Sequence, residues 1–147
     1  MLSKIPNLKK GSYKTKTMTP ETQSKMERKK TVLLVEDQKY NLLVLKKMLE
    51  RSEINVIAVE NGLDAVKICQ ENMDIDLVLM DIKMPLMDGY VAMKEIKKIK
   101  PDMKVIAETA YALAGDKNRI LDAGFDGYLP KPITQESLDE IIKLNFK

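Results

Sequence analysis

The sequence predicts an α/β fold in which five parallel strands form a doubly wound sheet with five helices on its two faces. Short apolar runs of strand length alternate with longer segments that have apolar residues at helical spacing, five times between residues 31 and 147. Such strict alternation is typical of a parallel sheet covered by helices. Five strands favour the order 2-1-3-4-5, which leaves a crevice between strands 1 and 3.

Each predicted strand is a short apolar run that a polar residue or a turn brings to an end. The third run is apolar at every position from Leu77 to Met80, so we expect it to be buried on both faces and to end at Asp81. Turn residues, Pro85 and Asp88-Gly89, separate it from the next helix. The five predicted strands are Thr31–Val35, Asn55–Val59, Leu77–Met80, Met103–Ala107 and Gly127–Leu129.

The predicted helices have apolar residues three and four positions apart, the spacing that forms one buried face. Pro101 breaks the third helix, and the fourth ends before Gly124, a residue favoured at helix ends. Thr134 is a favourable N-cap residue for the fifth helix, whose apolar face reaches Phe146. The first four predicted helices are Tyr40–Glu50, Leu63–Gln70, Gly89–Lys98 and Leu113–Asp122.

Composition excludes several functional classes. The chain has no histidine, which excludes Ser-His-Asp and Cys-His catalysis and His-ligated zinc sites. A single cysteine, Cys69, cannot form an internal disulfide, so we expect a reducing, cytoplasmic compartment. No apolar run has the length of a membrane span. A bound metal would have oxygen ligands, which favours a hard ion such as Mg²⁺.

Charge divides the chain into two parts. Residues 1–30 carry nine Lys or Arg and two Glu, a net charge of +7, whereas residues 31–147 carry 16 basic and 20 acidic residues, a net charge of −4. We expect 1–30 to be a disordered tail or linker and 31–147 to be the folded domain. The tail is either a solvated linker, which we favour, or a patch that binds an acidic partner, nucleic acid or a membrane surface.

Polar residues follow four of the five predicted strands, at the edge of the sheet where ligands gather. They are Glu36 and Asp37 after strand 1, Asp81 after strand 3, Thr109 after strand 4 and Lys131 after strand 5. Three carboxylates in one cleft repel one another unless a cation or a proton intervenes, and Mg²⁺ would relieve this repulsion. A lysine and a hydroxyl opposite them suit a transferred phosphoryl group, for which a carboxylate can be the nucleophile.

These residues lie in segments that resemble the receiver domain of two-component response regulators, over residues 31–147. The resemblance implies a flavodoxin-like form of the predicted fold and a signalling phosphoacceptor that catalyses only its own phosphorylation and dephosphorylation, rather than an enzyme. Asn41 and residues 109–116 look most like receivers attached to hybrid histidine kinases. The matching segments are Leu34-Val35-Glu36-Asp37, residues 80–89, Thr109-Ala110 and residues 128–132.

The resemblance implies a role for each site residue. Asp81 would accept the phosphoryl group from a phosphohistidine on a histidine kinase or a histidine phosphotransfer protein. Lys131 would contact the phosphoryl oxygens, and the Lys131–Pro132 peptide bond is expected to be cis. Thr109 would hydrogen-bond the phosphate, and Tyr128 would change rotamer as Thr109 moves. The implied Mg²⁺ ligands are Glu36, Asp37, Asp81 and the backbone carbonyl of Lys83.

The implied output is a change at the surface formed by the fourth helix, the fifth strand and the fifth helix, which could also form a homodimer. From the sequence itself we expect no DNA-binding domain and no membrane span in this chain. It leaves open whether the chain is a stand-alone relay protein or the receiver of a hybrid kinase. Glu108 places one more acid near the site, and neither the residue pattern nor the resemblance gives it a role.

Other functions remain as alternatives. A Mg²⁺-dependent phosphohydrolase with an aspartyl nucleophile would usually have a second acid two residues past the nucleophile, where this chain has Lys83. A pure interaction domain that has lost phosphorylation is less favoured, because all five site positions are present. The remaining alternative is binding of nucleic acid through the basic tail.

Overall fold

The computed structural model describes residues 29–71, 74–110 and 113–146, in which five strands and five helices alternate. Most of the predicted tail, residues 1–28, lies outside the described residues. The strands are β1 (Thr31–Val35), β2 (Asn55–Val59), β3 (Leu77–Asp81), β4 (Val105–Thr109) and β5 (Gly127–Pro130). The helices are α1 (Lys39–Arg51), α2 (Gly62–Glu71), α3 (Gly89–Ile99), α4 (Ala114–Ala123) and α5 (Gln135–Asn145).

The strands form one sheet in the order β2-β1-β3-β4-β5, and every neighbouring pair is parallel. This confirms the predicted doubly wound sheet and its strand order. Parallel neighbours need a long crossover connection, and the helices between the strands supply it. The strand order reverses between β1 and β3, so a crevice opens at the carboxyl ends of these two strands.

Alternation of the strand side chains produces an apolar core on each face of the sheet. Val32 and Leu34 of β1 pack with residues of α1 and α5 on what we call the α1/α5 face. Leu33 and Val35 pack with residues of α2, α3 and α4 on the opposite face. Both β1 and β3 are buried at every position, as the sequence predicted for β3.

The fourth strand begins two residues later than the sequence predicted, at Val105 rather than at Met103. Asp126 determines this start, because its Oδ2 accepts a hydrogen bond from Val105 N at 2.9 Å and its backbone N donates to Val105 O at 2.9 Å. The sequence could not predict where β4 begins. Asp126 lies 21 residues further along the chain, and a hydrogen bond to the backbone produces no periodic pattern of side chains.

The fourth strand also continues two residues further than predicted, through Glu108 and Thr109. The ladder extends because Asp81 pairs with Glu108 and Thr109 pairs with Pro130. In the sequence, polar residues after an apolar run indicate the end of a strand. The strand nevertheless continues here, because backbone groups make the pairing between strands and side-chain polarity does not prevent it. Glu108 and Thr109 are therefore strand residues, with side chains directed to opposite faces of the sheet.

Two further observations concern Cys69 and the length and polarity of the helices. Cys69 is a packed residue of α2, as predicted, and it is fully buried. Burial raises the pKa of its thiol, so little of the reactive thiolate forms. Within the described ranges, no helix has both the length and the apolar character needed to cross a membrane.

Candidate functional site

Three carboxylates meet at the carboxyl edge of the sheet, beside the crevice between β1 and β3. Glu36 and Asp37 follow β1, and Asp81 is the last residue of β3. Each offers one carboxylate oxygen to a cluster whose oxygens all lie within 4.8 Å of one another. Glu36 is fully buried, Asp81 is 6% exposed and Asp37 is half-buried. The structure therefore brings together acids that are 45 residues apart in the chain.

The alternation of strand side chains explains why these acids converge. On the α1/α5 face, the last buried apolar residues of β1, β3 and β4 are Leu34, Leu79 and Ile106. The positions two residues further, which face the same way, are Glu36, Asp81 and Glu108. Asp81 pairs with Glu108, and the β1–β3 register, which pairs Val35 with Met80, continues to Glu36 and Asp81. Three carboxyls thus stand in one row across the sheet, directly beyond the apolar core.

Lys131 supplies positive charge to this row of acids. Its Nζ lies 3.3 Å from Asp81 Oδ1 and 3.5 Å from Glu36 Oε1. The backbone N of Lys131 donates to the carbonyl oxygen of Thr109 at 2.8 Å, so pairing with β4 continues one residue past β5. The Lys131–Pro132 peptide bond is cis, as the resemblance implied. Strand pairing thus fixes the backbone that carries the lysine.

Burial and neighbouring charge change the proton affinities of this pair. Burial is the main reason why the pKa of Asp81 rises to about 6, and the charge of Glu36 adds to it, while Lys131 acts in the opposite direction. Burial alone would lower the pKa of Lys131, but the nearby carboxylates, chiefly Asp81, raise it above the usual value. At neutral pH the lysine is therefore charged and most of Asp81 is ionised.

Glu108, the acid to which the sequence gave no role, also lies at this edge of the sheet. Its side chain is fully buried, and neither carboxylate oxygen has a hydrogen-bond partner among the residues that the structure describes. Burial, followed by the charge of Glu36, holds the pKa of Glu108 well above its usual value. The signal was present in the sequence, because Glu108 lies two residues after the inward-facing Ile106.

The acids border a cleft of about 560 Å³. Asp37, Asp81, Lys131 and Glu108 reach its wall, and Glu36 lies buried behind it. The other predicted residues of the site, Thr109 and Lys83, also line this cleft. Asp116 and Arg119 of α4 border it too, with 3.6 Å between their charged atoms.

Tyr128, the predicted switch residue, lies on β5 outside the lining of this cleft. Its ring is half-buried, and Lys117 Nζ of α4 lies 5.4 Å from the ring centroid. Tyr128 pairs with Ala107, two residues before Thr109, so it shares a sheet face with that hydroxyl. The structure therefore places the aromatic residue beside the strand that carries Thr109.

The acidic cluster is chemically suited to Mg²⁺. Carboxylate oxygens are the ligands this hard ion prefers, and it commonly keeps several waters beside one or two carboxylates. Glu36, Asp37 and Asp81 supply the oxygens, and the adjoining cleft leaves room for waters or phosphoryl oxygens. One lysine opposite several carboxylates leaves excess negative charge for a cation to balance.

Proteins similar to this chain include a sensor protein and a response regulator. The chain is 39% identical over 116 residues to sensor protein GacS of Pseudomonas syringae pv. syringae, a match that covers 76% of this chain and 13% of that protein. It is 36% identical over 116 residues to the polar-differentiation response regulator DivK of Brucella anthropi, a match that covers 78% of this chain and 94% of that protein. The chain thus matches a small part of GacS but almost the whole of DivK.

Solved structures share the fold. One is the receiver domain of sensor histidine kinase PA1611 from Pseudomonas aeruginosa PAO1, with a magnesium ion coordinated in its active site cleft (TM-score 0.74, 35% identity, 80% of this chain and 98% of that chain). Another is the receiver domain of the Saccharomyces cerevisiae response regulator Ssk1, crystallised with the histidine phosphotransfer signaling protein Ypd1 (TM-score 0.74, 29% identity, 80% of this chain and 88% of that chain).

Three findings together assign the chain to a family. The sheet order and the acidic cluster at its carboxyl edge agree with the segments that carry the resemblance. The relatives and solved structures include receiver domains and response regulators. The family model for the response regulator receiver domain matches residues 32–143. This chain therefore belongs to the response regulator receiver domain family of two-component signalling.

Proposed function

We propose that Asp81 is the phosphoacceptor of this receiver domain and takes a phosphoryl group from a phosphohistidine on a partner. One observation carries the proposal: the Asp81 carboxylate ends a buried strand beside two further acids, with Lys131 Nζ 3.3 Å away. A carboxylate can act as a nucleophile toward phosphorus. The lysine and the neighbouring hydroxyl can neutralise and hold the charged oxygens of the incoming group.

In the proposed step, an Oδ atom of Asp81 attacks phosphorus and the phosphorus–nitrogen bond of the phosphohistidine breaks. The imidazole keeps that electron pair and takes a proton from solvent, and an acyl phosphate remains on Asp81. Lys131 donates a charge-assisted hydrogen bond to the phosphoryl oxygens, and the hydroxyl of Thr109 donates another. Above a pH of about 6, Asp81 is mainly in the ionised form that attacks.

Mg²⁺ is the proposed cofactor, with Glu36, Asp37, Asp81 and the backbone carbonyl of Lys83 as its ligands. When bound, it would offset the negative charge that otherwise repels an incoming phosphoryl group. The cluster of three carboxylate oxygens supports this proposal, as does the magnesium ion in the receiver domain of PA1611.

The proposed partner is a histidine kinase or a histidine phosphotransfer protein. Similarity to the sensor protein GacS and to a receiver domain bound to Ypd1 supports this choice. We propose residues 31–147 as the receiver domain and 1–30 as a basic tail or linker. A cytoplasmic location agrees with a partner of this kind and with the free, buried thiol of Cys69.

We propose that phosphorylation is read at the surface formed by α4, β5 and α5. A phosphoryl group adds about −1.5 to −2 charge, and bonds from Thr109 and Lys131 to it would favour one of two pre-existing conformations. Tyr128 on this surface can respond to movement of Thr109. Two exposed apolar residues, Leu121 (45% exposed) and Leu144 (64% exposed), offer contact area for a partner or a second copy of the chain.

The direct test is phosphorylation by acetyl phosphate in the presence of Mg²⁺, followed by mass spectrometry of the intact protein. We expect the wild type to gain one phosphate and Asp81→Asn to gain none. Asp116→Asn is the matched control, because this aspartate borders the same cleft without belonging to the cluster of three acids. Labelling that persists in Asp81→Asn, or that disappears only in Asp116→Asn, would contradict the assignment.

The same protein tests the phosphohydrolase alternative. Lys83 stands where such an enzyme would usually have its second acid, so we expect no multiple turnover of p-nitrophenyl phosphate with Mg²⁺. Turnover well above that of the Asp81→Asn variant would favour the hydrolase.

A further inference from the structure

The cleft beside Asp81 has an apolar part to which the proposed phosphotransfer gives no role. Three apolar or aromatic residues line it together with the acids and the lysine of the site, namely Ile82, Tyr90 and Ile120. A phosphoryl group and a cation need charged and polar partners, which the acids, the lysine and the hydroxyl already supply. Sites for small organic groups are typically lined by apolar and aromatic side chains with a few polar groups among them. The apolar part of the cleft is therefore suited to an organic group that enters with the phosphoryl group.

Tyr90 brings an aromatic ring to this part of the cleft. It is the second residue of α3, directly after Gly89, whose backbone N donates to Ile82 O and holds the start of the helix against the end of β3. Its ring meets the buried Phe125 edge to face, with 5.6 Å between the ring centroids and 77° between the ring planes. The ring is half-buried, so the core holds it while part of its surface stays open at the cleft. A ring held in this way loses little conformational freedom when a second ring packs on it.

The proposed reaction brings such a second ring to the cleft. The phosphorus that Asp81 attacks is bonded to an imidazole nitrogen of the phosphohistidine, so the imidazole lies in the cleft or at its mouth when that bond breaks. Aromatic rings attract one another in offset or edge-to-face arrangements, beyond the effect of buried area alone. Acetyl phosphate carries the same phosphoryl group on a small acyl group that has no ring.

We propose that Tyr90 is a specificity-determining residue of the phosphotransfer, whose ring packs on the imidazole of the donor and favours imidazole-linked phosphoryl groups over acyl phosphates. The bonds that form and break are unchanged: an Asp81 oxygen bonds to phosphorus, the phosphorus–nitrogen bond breaks, and the imidazole takes its proton from solvent. This inference rests on the proposed function, because it assumes transfer to Asp81. Tyr90 holds the leaving group and does not act on the phosphoryl group or on the cation.

The test compares two small donors, N-phosphoimidazole and acetyl phosphate, on the full chain in the presence of MgCl₂. Initial rates at several donor concentrations, measured by mass spectrometry of the intact protein, give a second-order rate constant for each donor. The readout is the ratio of the phosphoimidazole rate constant to the acetyl phosphate rate constant. A change in the fold or in the cation site alters both rate constants together, whereas loss of a contact with the imidazole alters only one of them.

We expect Tyr90→Leu to lower this ratio by about three- to tenfold, because leucine keeps an apolar side chain but has no ring. Tyr90→Met is a second variant without a ring and should show the same fall. Tyr90→Phe keeps the ring, so its ratio should stay within about twofold of wild type. Tyr40→Leu is the matched control, because Tyr40 is 77% exposed on α1 and lies outside the lining of the cleft. Its ratio should equal that of wild type.

Three outcomes would overturn this role for Tyr90. They are an unchanged ratio or a joint loss of both reactions in the Leu and Met variants, an equal fall of the ratio in Tyr90→Phe, and a wild type that accepts acetyl phosphate but not phosphoimidazole. Each of them leaves Asp81 as the phosphoacceptor. Failure of acetyl phosphate to label the wild type would instead overturn the proposed function, and this inference with it. The two failures are thereby distinguishable.

Discussion

At the scale of single residues, the site is built from charges that oppose one another in the absence of a cation. Asp81 lies beside the buried Glu36, and Lys131 Nζ lies within 4 Å of both carboxylates. Burial and this like charge together raise the pKa of Asp81 to about 6. The arrangement favours ligand binding over stability, which is common at functional sites.

The first prediction concerns Asp81→Asn in metal-free protein. The folded pKa of about 6 exceeds the usual value of 3.8, so the folded state binds more protons than the unfolded state between these values. The contribution of Asp81 to the free energy of unfolding is therefore fully present below a pH of about 4 and is lost as the pH rises through about 6. We expect Asp81→Asn to raise the free energy of unfolding at pH 7.5 by roughly 1–3 kcal/mol, and to have little effect at pH 4.

Urea unfolding in the presence of EDTA at both pH values measures this difference. Asp102→Asn, which changes an exposed aspartate, should leave the free energy of unfolding within about 0.5 kcal/mol of wild type. If Asp81→Asn raised the free energy of unfolding equally at pH 4 and pH 7.5, the effect would not arise from the charge of Asp81, and the prediction would be wrong.

The second prediction concerns Lys131, which neutralises the same carboxylates that a cation would bind. Lys131→Gln leaves Asp81 and Glu36 without the charge that lies 3.3 and 3.5 Å away. We expect metal-free stability to fall by roughly 1–3 kcal/mol, and Mg²⁺ affinity to rise several-fold because the competing cation is gone. Urea unfolding and calorimetric titration measure the two effects, with the exposed Lys104→Gln as control. An unchanged or weaker Mg²⁺ affinity would show that Lys131 does not compete for these oxygens.

At the scale of secondary-structure elements, the loop between β3 and α3 returns to lie against the backbone of Asp81. Gly89 begins α3, and its backbone N donates to Ile82 O at 2.7 Å, which folds the loop back onto the end of β3. Asp88 caps this helix by accepting a hydrogen bond from Val91 N at 3.0 Å. The turn signal that the sequence shows at Asp88-Gly89 therefore corresponds to a close backbone approach next to Asp81, the proposed phosphoacceptor.

The third prediction tests this approach with Gly89→Ala. A Cβ at position 89 would lie 2.5 Å from Asp81 O and 2.8 Å from Ile82 Cα, and these backbone atoms cannot rotate away. We expect the free energy of unfolding to fall by roughly 1–3 kcal/mol and the rate of phosphorylation by acetyl phosphate to fall as the Asp81 backbone shifts.

Gly115→Ala is the matched control, because a Cβ there would have no atom within 4 Å and the residue lies in α4. Alanine is favoured over glycine in a helix, so this variant should be as stable as wild type or more stable by roughly 0.5–1 kcal/mol. Wild-type stability of Gly89→Ala would mean that the loop has room to move.

At the scale of the whole molecule, the described chain makes its first contacts with the fold at the end of the predicted tail. Asn55 N donates to Lys30 O at 2.9 Å, and Lys30 Nζ lies 5.8 Å from the centroid of the Phe146 ring. Lys30 thus connects the start of β1 with the edge strand β2 and the end of α5. The domain boundary drawn after residue 30 stays a prediction.

The fourth prediction is that a chain lacking residues 1–28 keeps both fold and chemistry. We expect its free energy of unfolding to lie within about 0.5 kcal/mol of the full chain, since the contacts of Lys30 remain. Its phosphorylation rate should also be unchanged. Binding of both chains to DNA at low salt tests the tail separately, and a loss of affinity on deletion would favour the nucleic-acid alternative.

Much of this molecule could be predicted from its sequence, because the signals are local. Apolar runs such as Leu77 to Met80 predict buried strands, and helical spacing predicts the elements between them. The strand order follows from strict alternation, and it brings Glu36, Asp37 and Asp81 to one edge of the sheet. The segments that resemble receiver domains added the expected role of each residue.

Only the tertiary structure decided the register between strands. Register pairs Asp81 with Glu108 and extends β4 past its apolar run, and it depends on backbone hydrogen bonds between distant segments. Only the folded chain shows that Glu108 is buried with no hydrogen-bond partner among the described residues, because burial depends on the surrounding atoms rather than on the residue. Sequence periodicity reports which face a side chain occupies, but a carboxyl's neighbours, and hence its pKa and its role, exist only in the folded chain.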